Sequence, residues 1–396
     1  MRISGIEEFV GIRCYGSKSK GVGGRIKVLP EDFTVEEITK EGAVPGIGEV
    51  IDEAGDDIGG NYTHFTLQKY NWDTMRAVKE ISRRLGVSHN RLGFAGTKDK
   101  RALTTQKVSG YQIPIENLRS IKIKDLLLYD FEYADEGIDL GDLRGNRFTV
   151  TVRDIDLETG ILQSRILKIH KELIGGFPNF FGIQRFGDIR PITHLVGKEI
   201  LRGDFEQAVM IYLAEIFEGE SEEALNARKF LGETKNFRDA LKVFPKNLGY
   251  ETAMLNHLVQ RGDDYAGALR ALPRKLRMMF VHAYQSYIFN LALSEYIKHG
   301  FTVERLPLAG YESEVDEISA GILEKEGITR DMFRIPGMRE LSSRGNIRDC
   351  FIPVKDFEIL KIEDDELNEG KKKAVLRFSL PKGCYATVLL REFMKG

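Results

Sequence analysis

The segment Gly93–Gln106, GFAGTKDKRALTTQ, sets one carboxylate, Asp99, between Lys98 and Lys100 at the end of a short glycine-containing apolar run. Flanking cations favour the ionised carboxylate, and an ionised aspartate can serve as a covalent nucleophile or as a base. Gly93 and Gly96 permit close backbone approach or dihedrals closed to other residues. A Lys-Asp-Lys turn is equally compatible with a solvated loop, and the residues by themselves leave both readings open. The same stretch is basic: Arg76 to Lys107 holds nine Lys and Arg against two acids, while Glu31 to Asp57 holds ten acids against one base. A local basic stripe is the electrostatic footprint of phosphate-backbone contact. It is also what a solvated helix face balancing an acidic neighbour looks like.

Other chemistries find little support. No G-x-x-x-x-G-K-[ST] or G-x-S-x-G segment occurs, which argues against a P-loop or a serine elbow. None of the seven histidines pairs with another at i, i+4, as a helical metal site prefers, and His282 on its apolar helix reads as a packing residue. The three cysteines, Cys14, Cys350 and Cys384, are odd in number and far apart, so a disulfide framework is not expected. No metal and no cofactor are predicted.

The elements that must position Asp99 belong to a chain of 396 residues, 42% hydrophobic and 30% charged, a length that predicts two domains. No stretch approaches a membrane span, and the N-terminal residues lack a secretory h-region, so a cytoplasmic protein is expected. Up to about residue 155 the pattern is strand-rich. Gly24–Leu29 and Phe33–Ile38 read as a hairpin around Pro30-Glu31-Asp32, Tyr62–Tyr70 as a further strand, and Leu103–Val108 as extended. Asp73 can cap a helix that runs to Leu85 and stops at Gly86. Asn146–Ile155 alternates as a half-buried strand should. From about residue 188 to 300 helical periodicity dominates. Strand character returns in Phe357–Ile362 and Ala374–Leu380, followed by a terminal helix, Tyr385–Met394. Strand-rich ends flanking a helical middle suggest a sheet domain carrying an insertion.

Five segments together resemble the TruD family of tRNA pseudouridine synthases. They are Gly24–Glu37 (GRIKVLPEDFTVEE), Gly93–Gln106, Gly145-Asn146-Arg147-Phe148, Gly175–Gly187 (GGFPNFFGIQRFG) and Leu376–Glu392 (LRFSLPKGCYATVLLRE), in family order. Between about residues 195 and 275 there is little correspondence. The resemblance implies an α+β fold: a pseudouridine-synthase catalytic domain with a mainly antiparallel mixed sheet (1–177 and 348–396), carrying an inserted α/β TRUD domain (178–347). It implies isomerisation of uridine to pseudouridine in tRNA, most typically at position 13 of the D arm. Catalysis would fall to Asp99, with Lys27 as its partner, and the family's amide and aromatic pair falls on Asn146 and Phe148.

The chemistry suits these residues. Breaking N1–C1′ and joining C5 to C1′ requires no redox, phosphate or metal step, and one carboxylate can attack C1′, attack C6 or take a ribose proton. Water must be kept from a glycosyl intermediate, and the base must leave its stack and rest on an aromatic face. Phe148 is the candidate face that the resemblance implies, where its alternating strand by itself reads it as an ordinary core phenylalanine; Lys98, Asn179, Gln184 and Arg185 are further substrate contacts. Asn179, Gln184 and Arg185 are equally readable as part of a rigid hinge. Arg83, Arg84, Arg91, Lys100 and Arg101 are the expected phosphate contacts. The expected partner is tRNA, with no obligate protein partner and a monomeric state. A non-catalytic RNA-binding module is the alternative from another class, and a nucleoside or glycoside hydrolase a third.

Overall fold

The computed structural model describes residues 3–48 and 60–395, so residues 49–59, the end of the acidic run, lie outside the described residues. The chain forms two compact units, one of residues 17–177 and 352–396, the other of residues 1–16 and 178–351.

The first unit is built on one eight-stranded sheet. Its strands are β1 (Phe33–Thr39), β2 (Tyr62–Tyr70), β3 (Leu92–Phe94), β4 (Leu103–Tyr111), β5 (Leu126–Ala134), β6 (Leu143–Ile155), β7 (Lys355–Asp364) and β8 (Lys372–Pro381). Their order is β7-β8-β6-β1-β4-β2-β5, with β3 on the far half of β4. Only β1 and β4 run parallel, which makes the sheet mixed and mainly antiparallel. Register aligns one row across it: Phe378 on β8, Phe148 on β6, Val35 on β1, Thr104 on β4, Lys69 on β2 and Leu126 on β5. Side chains alternate faces along a strand, so Phe33, Glu37, Asn146, Leu67 and Gln106 share this face. Helix Thr74–Leu85 packs on it through Ala77, Val78 and Ile81 against Phe65, Leu67 and Val108. Asp73 caps that helix by accepting from the Arg76 N–H at 3.0 Å, and Gly86 ends it in the left-handed region.

The expected hairpin before β1 does not form. Gly24–Leu29 makes only an isolated bridge, Arg25 to Arg153, and left-handed φ values at Gly24 (89°) and Lys27 (57°) turn the short segment out of the extended conformation. Pro30–Asp32 is a 3-10 turn that feeds β1 directly.

The second unit is helical, with a two-stranded ribbon, Arg305–Leu308 against Asn346–Asp349. Its 25-residue helix Arg274–Lys298 runs through a core that includes Val196, Ile200, Leu213, Leu231, Leu255, Phe280 and Tyr284. Helix Thr193–Arg202 crosses it closely enough that a Cβ on Gly197 would meet the Phe280 carbonyl at 2.0 Å. The expectation that residues 1–177 stay together is corrected at its start. Residues 1–16 belong to the helical unit, where Val10 and Ile12 are buried, the Asn290 amide donates to the Val10 carbonyl and the Ser294 hydroxyl to that of Gly11. Among the described residues no helix is long and apolar enough to cross a membrane.

Candidate active site

Asp99 sits on the loop between β3 and β4, and three buried groups of the sheet face hold that loop. The Gln106 amide donates to the Gly96 carbonyl at 3.0 Å. The Lys98 ammonium pairs with Glu37, both side chains almost wholly buried. The Lys69 ammonium, fully buried, donates to the main-chain carbonyl of Asp99. A fourth tie comes from the start of helix Thr74–Leu85, where the Thr74 hydroxyl accepts from the Lys98 N–H at 3.0 Å. Gly93 is needed because a Cβ there would lie 2.4 Å from the Ile138 carbonyl, whereas a Cβ on Gly96 would meet the Lys98 ammonium at an ordinary 4.0 Å.

From this anchored loop the Asp99 carboxylate reaches outward, 40% exposed, to meet the Lys27 ammonium at 2.6 Å. Lys27 also lies over the Phe33 ring, 4.2 Å from its centroid. Its segment is fixed on both sides. Arg25 and Arg153 exchange backbone hydrogen bonds at 2.8 Å, and the Asp32 carboxylate is held by the buried Arg153 guanidinium at 2.9 Å. Arg101 adds a hydrogen bond to the Val28 carbonyl at 2.6 Å. The cation beside Asp99 is therefore Lys27, 72 residues away in sequence, and not Lys98, whose charge is committed to Glu37.

Phe148 is only 6% exposed. It stacks on Phe378 at 5.5 Å and meets Phe33 edge-on at 6.0 Å. The three rings and the Lys27–Asp99 pair thus form one continuous set, in which Phe148 is the middle member and not an open platform. Asn146, one step along the same face, has a buried Oδ1 with no hydrogen-bond partner among the described residues.

The expected phosphate contacts are mostly engaged within the protein. Arg83 and Arg84 both reach Glu80, at 2.6 and 3.1 Å, and Arg91 donates to the Tyr111 carbonyl at 2.8 Å. With Arg101 turned to Val28, Lys100 is the exposed cation of this set without an internal partner among the described residues. Three further candidates lie in the helical unit. Asn179 is buried, its amide donating to the Asp349 carbonyl at 2.8 Å and accepting from Arg348 at 2.7 Å. Arg185 donates to the Ser286 hydroxyl at 3.2 Å, and Gln184 lies beside it on the 3-10 turn Ile183–Arg185. These contacts commit the Asn179 amide and an Arg185 N–H within the helical unit.

Sequence reasoning missed Lys69, Glu37, Phe33 and Phe378. Lys69 and Glu37 carried a signal: each is a charge at an inward position of an alternating strand, where an unpaired charge is costly. Burial pushes the Lys69 ammonium down to about 8, opposed by the carboxylates of Asp99 and Asp73 and assisted by the cation of Lys98. Among the described residues no group of three or more His, Cys, Asp or Glu could hold a metal ion.

The family model for tRNA pseudouridine synthase D (TruD) matches residues 9–310 and 303–393. A Methanococcoides burtonii protein described as a probable tRNA pseudouridine synthase D is 39% identical, covering 99% of this chain and 98% of its own. A Methanocaldococcus jannaschii relative described as a probable tRNA pseudouridine synthase D 1 is also 39% identical, over 94% of this chain and 96% of its own. The crystal structure of a Methanosarcina mazei protein assigned to tRNA pseudouridine synthase D superposes with a TM-score of 0.82 at 38% identity, covering 100% of this chain and 99% of that one. With its mixed sheet, its anchored Asp99 loop and this match over nearly its whole length, the chain belongs to the TruD family of tRNA pseudouridine synthases, which are isomerases.

Proposed function

We propose that this enzyme isomerises uridine 13 in the D arm of tRNA, with Asp99 as its one catalytic carboxylate, Lys27 as the partner that orients it, and no cofactor. The observation that carries the reading is the 2.6 Å pair between Lys27 and a half-exposed Asp99 on an otherwise immobilised loop. A group that must touch the ribose or the ring needs access, and one that must be ionised benefits from an adjacent cation. In the reaction N1–C1′ breaks, C5–C1′ forms, C5 loses its proton and N1 gains one, so substrate and product are isomers and nothing is consumed. One ionised carboxylate can begin this at C1′, at C6 or at the ribose C2′ proton.

Because the carboxylate reaches solvent, the bound RNA itself must supply part of the water exclusion. The flipped uracil would rest against the edge of Phe148, the most exposed of the three rings, with the unpaired Asn146 oxygen as an acceptor for the uracil N3–H. Lys100 would meet phosphate, joined by Arg83, Arg84, Arg91 and Arg101 where bound RNA outcompetes their internal partners. The reading extends to a monomer acting on cytoplasmic tRNA.

The test is pseudouridine mapping in tRNA transcripts incubated with wild-type protein and with Asp99→Asn. The variant should bind tRNA with near wild-type affinity and lose product formation by at least about 10⁴-fold. Product from a folded Asp99→Asn protein would remove Asp99 from catalysis. Modification elsewhere than position 13 would keep the reaction and overturn the substrate assignment. Salt-sensitive binding with no product from the wild type would favour the RNA-binding module instead.

A further inference from the structure

We propose that Lys69 is a positioning residue for catalysis, which sets the direction of the Asp99 carboxylate by holding its main-chain carbonyl. The inference rests on the reading of Asp99 as the catalytic group. Lys69 projects from β2 into the sheet face, in the row that runs through Thr104 and Val35 to Phe148 and Phe378. It is fully buried, and among the described residues its ammonium has a single hydrogen-bond partner, the Asp99 carbonyl. An ammonium has three donors and is strongly hydrated in water. Sealing it in the sheet face for one acceptor is a costly arrangement that a leucine would avoid. On the neighbouring strand the Thr104 hydroxyl is buried and has no hydrogen-bond partner among the described residues.

What the arrangement does is fix the peptide on the C-terminal side of Asp99. On the N-terminal side the Thr74 hydroxyl donates to the Lys98 carbonyl at 3.4 Å and accepts from the Lys98 N–H, while the Lys98 ammonium pairs with Glu37. With both flanking peptides fixed, the Cα–Cβ direction of Asp99 is set and only two side-chain torsions remain, which Lys27 settles at 2.6 Å. Misplacement of a reacting group by about 1 Å can cost about 100-fold in rate, so a lysine that contacts no substrate can still govern the chemical step.

The charged groups around the ammonium are Asp99 and Lys98 on the loop and Asp73 at the head of helix Thr74–Leu85. The strand neighbours in register, Thr104 and Leu126, are uncharged. The two carboxylates favour the charged form, while burial and Lys98 oppose it, which brings loss of the proton to about pH 8. Above that pH the tether loses its charge assistance and weakens. The chemical rate should therefore fall as pH rises through about 8.

The experiment is the pH dependence of single-turnover pseudouridine formation, together with tRNA binding, for wild type, Lys69→Met and Asp73→Asn. Asn retains the helix-capping geometry of Asp73, whose side chain accepts from the Arg76 N–H. Lys69→Met should lower the rate at pH 7 by about 10- to 100-fold, leave tRNA affinity within about twofold, and abolish the alkaline limb. Asp73→Asn removes a carboxylate that supports the ammonium, so the limb should move to lower pH by about half a unit. A limb caused by ionisation of the uracil N3–H would be common to all proteins and unmoved by Asp73→Asn. An unmoved limb in Asp73→Asn, or a Lys69→Met profile parallel to wild type, overturns the proposal even if Lys69→Met is hard to fold. Absence of product from the wild type, or full activity in Asp99→Asn, overturns the proposed function and this inference with it.

Discussion

In the sheet unit the buried charges Lys69, Lys98 and Glu37 all meet on or beneath the loop that carries Asp99. In the helical unit, Arg228 and Arg190 end on Glu220 and Glu251 and on the last carbonyls of helix Phe205–Ala214. Arg228 donates to the Leu213 carbonyl at 2.9 Å, and Arg190 to those of Tyr212 at 3.0 Å and Glu215 at 2.9 Å. A helix C-terminus presents orphan carbonyls and the negative end of its dipole, so these arginines complete a fold element. The sheet-unit charges instead fix a side chain that still reaches solvent. Burial of charge thus serves architecture in the Arg228 cluster and aim at the Asp99 loop, and the two uses should respond differently to substitution.

The largest effect should come from Arg228→Met. Arg228 is 1% exposed, and its removal leaves Glu220 and Glu251 with Arg190 alone and frees the helix carbonyls. Breaking a buried pair on one side costs about 3 to 5 kcal/mol. Native-state hydrogen exchange should show that loss in helices Phe205–Ala214 and Glu222–Thr234, while the single-turnover rate of the folded protein stays within about threefold of wild type. A rate that falls while protection is intact would dissolve the distinction between the units.

Acid should separate them next. His194 is buried against Phe186 and Tyr287, 5.3 and 4.8 Å between ring centroids, and burial holds its imidazole down at about 4, with Lys198 acting in the same direction. Its folded-state value lies below the ordinary 6.5, so the neutral ring is favoured. That contribution is fully present above about pH 6.5 and is lost as pH falls toward 4, about 3 kcal/mol in all. In the sheet unit, burial disfavours the ionised Asp365 carboxylate. Hydrogen bonds from the Asp154 N–H, Asn368, the Leu367 N–H and Arg153 outweigh it and hold the group at about 2. That support is present above the ordinary carboxylate value of 3.8 and fades only below it. On acidification the helical unit should loosen first, by hydrogen exchange at pH 5, and His194→Phe should abolish the difference. Simultaneous loosening in the variant and the wild type would show that His194 is not the sensitive group.

The strands, the Asp73–Gly86 helix and the helical middle were legible because periodicity and caps are local. Asp99 stood out through the resemblance of its segment, since its residues alone read equally as a solvated loop. The pairing of Lys27 with Asp99 followed from resemblance, and no local pattern links residues so far apart. What local pattern misdirected was the segment before β1: Gly24–Leu29 alternates like a strand, yet Arg153, Asp32 and Asp365 hold it in another shape, with Lys27 left-handed. The same limit applies to the arginines. Their number suggested phosphate, and only the fold shows Arg101 spent on Val28, Arg91 on Tyr111, and Arg83 and Arg84 on Glu80.

The smallest effect on stability, and the sharpest on the comparison, should come from Glu37→Gln. The substitution keeps the acceptor for the Lys107 N–H, which Glu37 receives at 3.2 Å, and leaves the volume unchanged. It strands the charge of Lys98. Unlike Arg228, Lys98 belongs to a loop whose next residues, Asp99, Lys100 and Arg101, already reach solvent, so its ammonium can escape by shifting the loop. Escape limits the stability cost to about 1 to 3 kcal/mol, but it moves Asp99, and the single-turnover rate should fall by about 10- to 100-fold. Adding Lys98→Met removes the stranded charge and should restore stability, because a buried pair is often replaceable by apolar groups. It should not restore rate, because the loop has still lost the tie to β1. A double variant that recovers both would mean that the pair serves only the fold, and that buried charge in the sheet unit is used no differently from the Arg228 cluster.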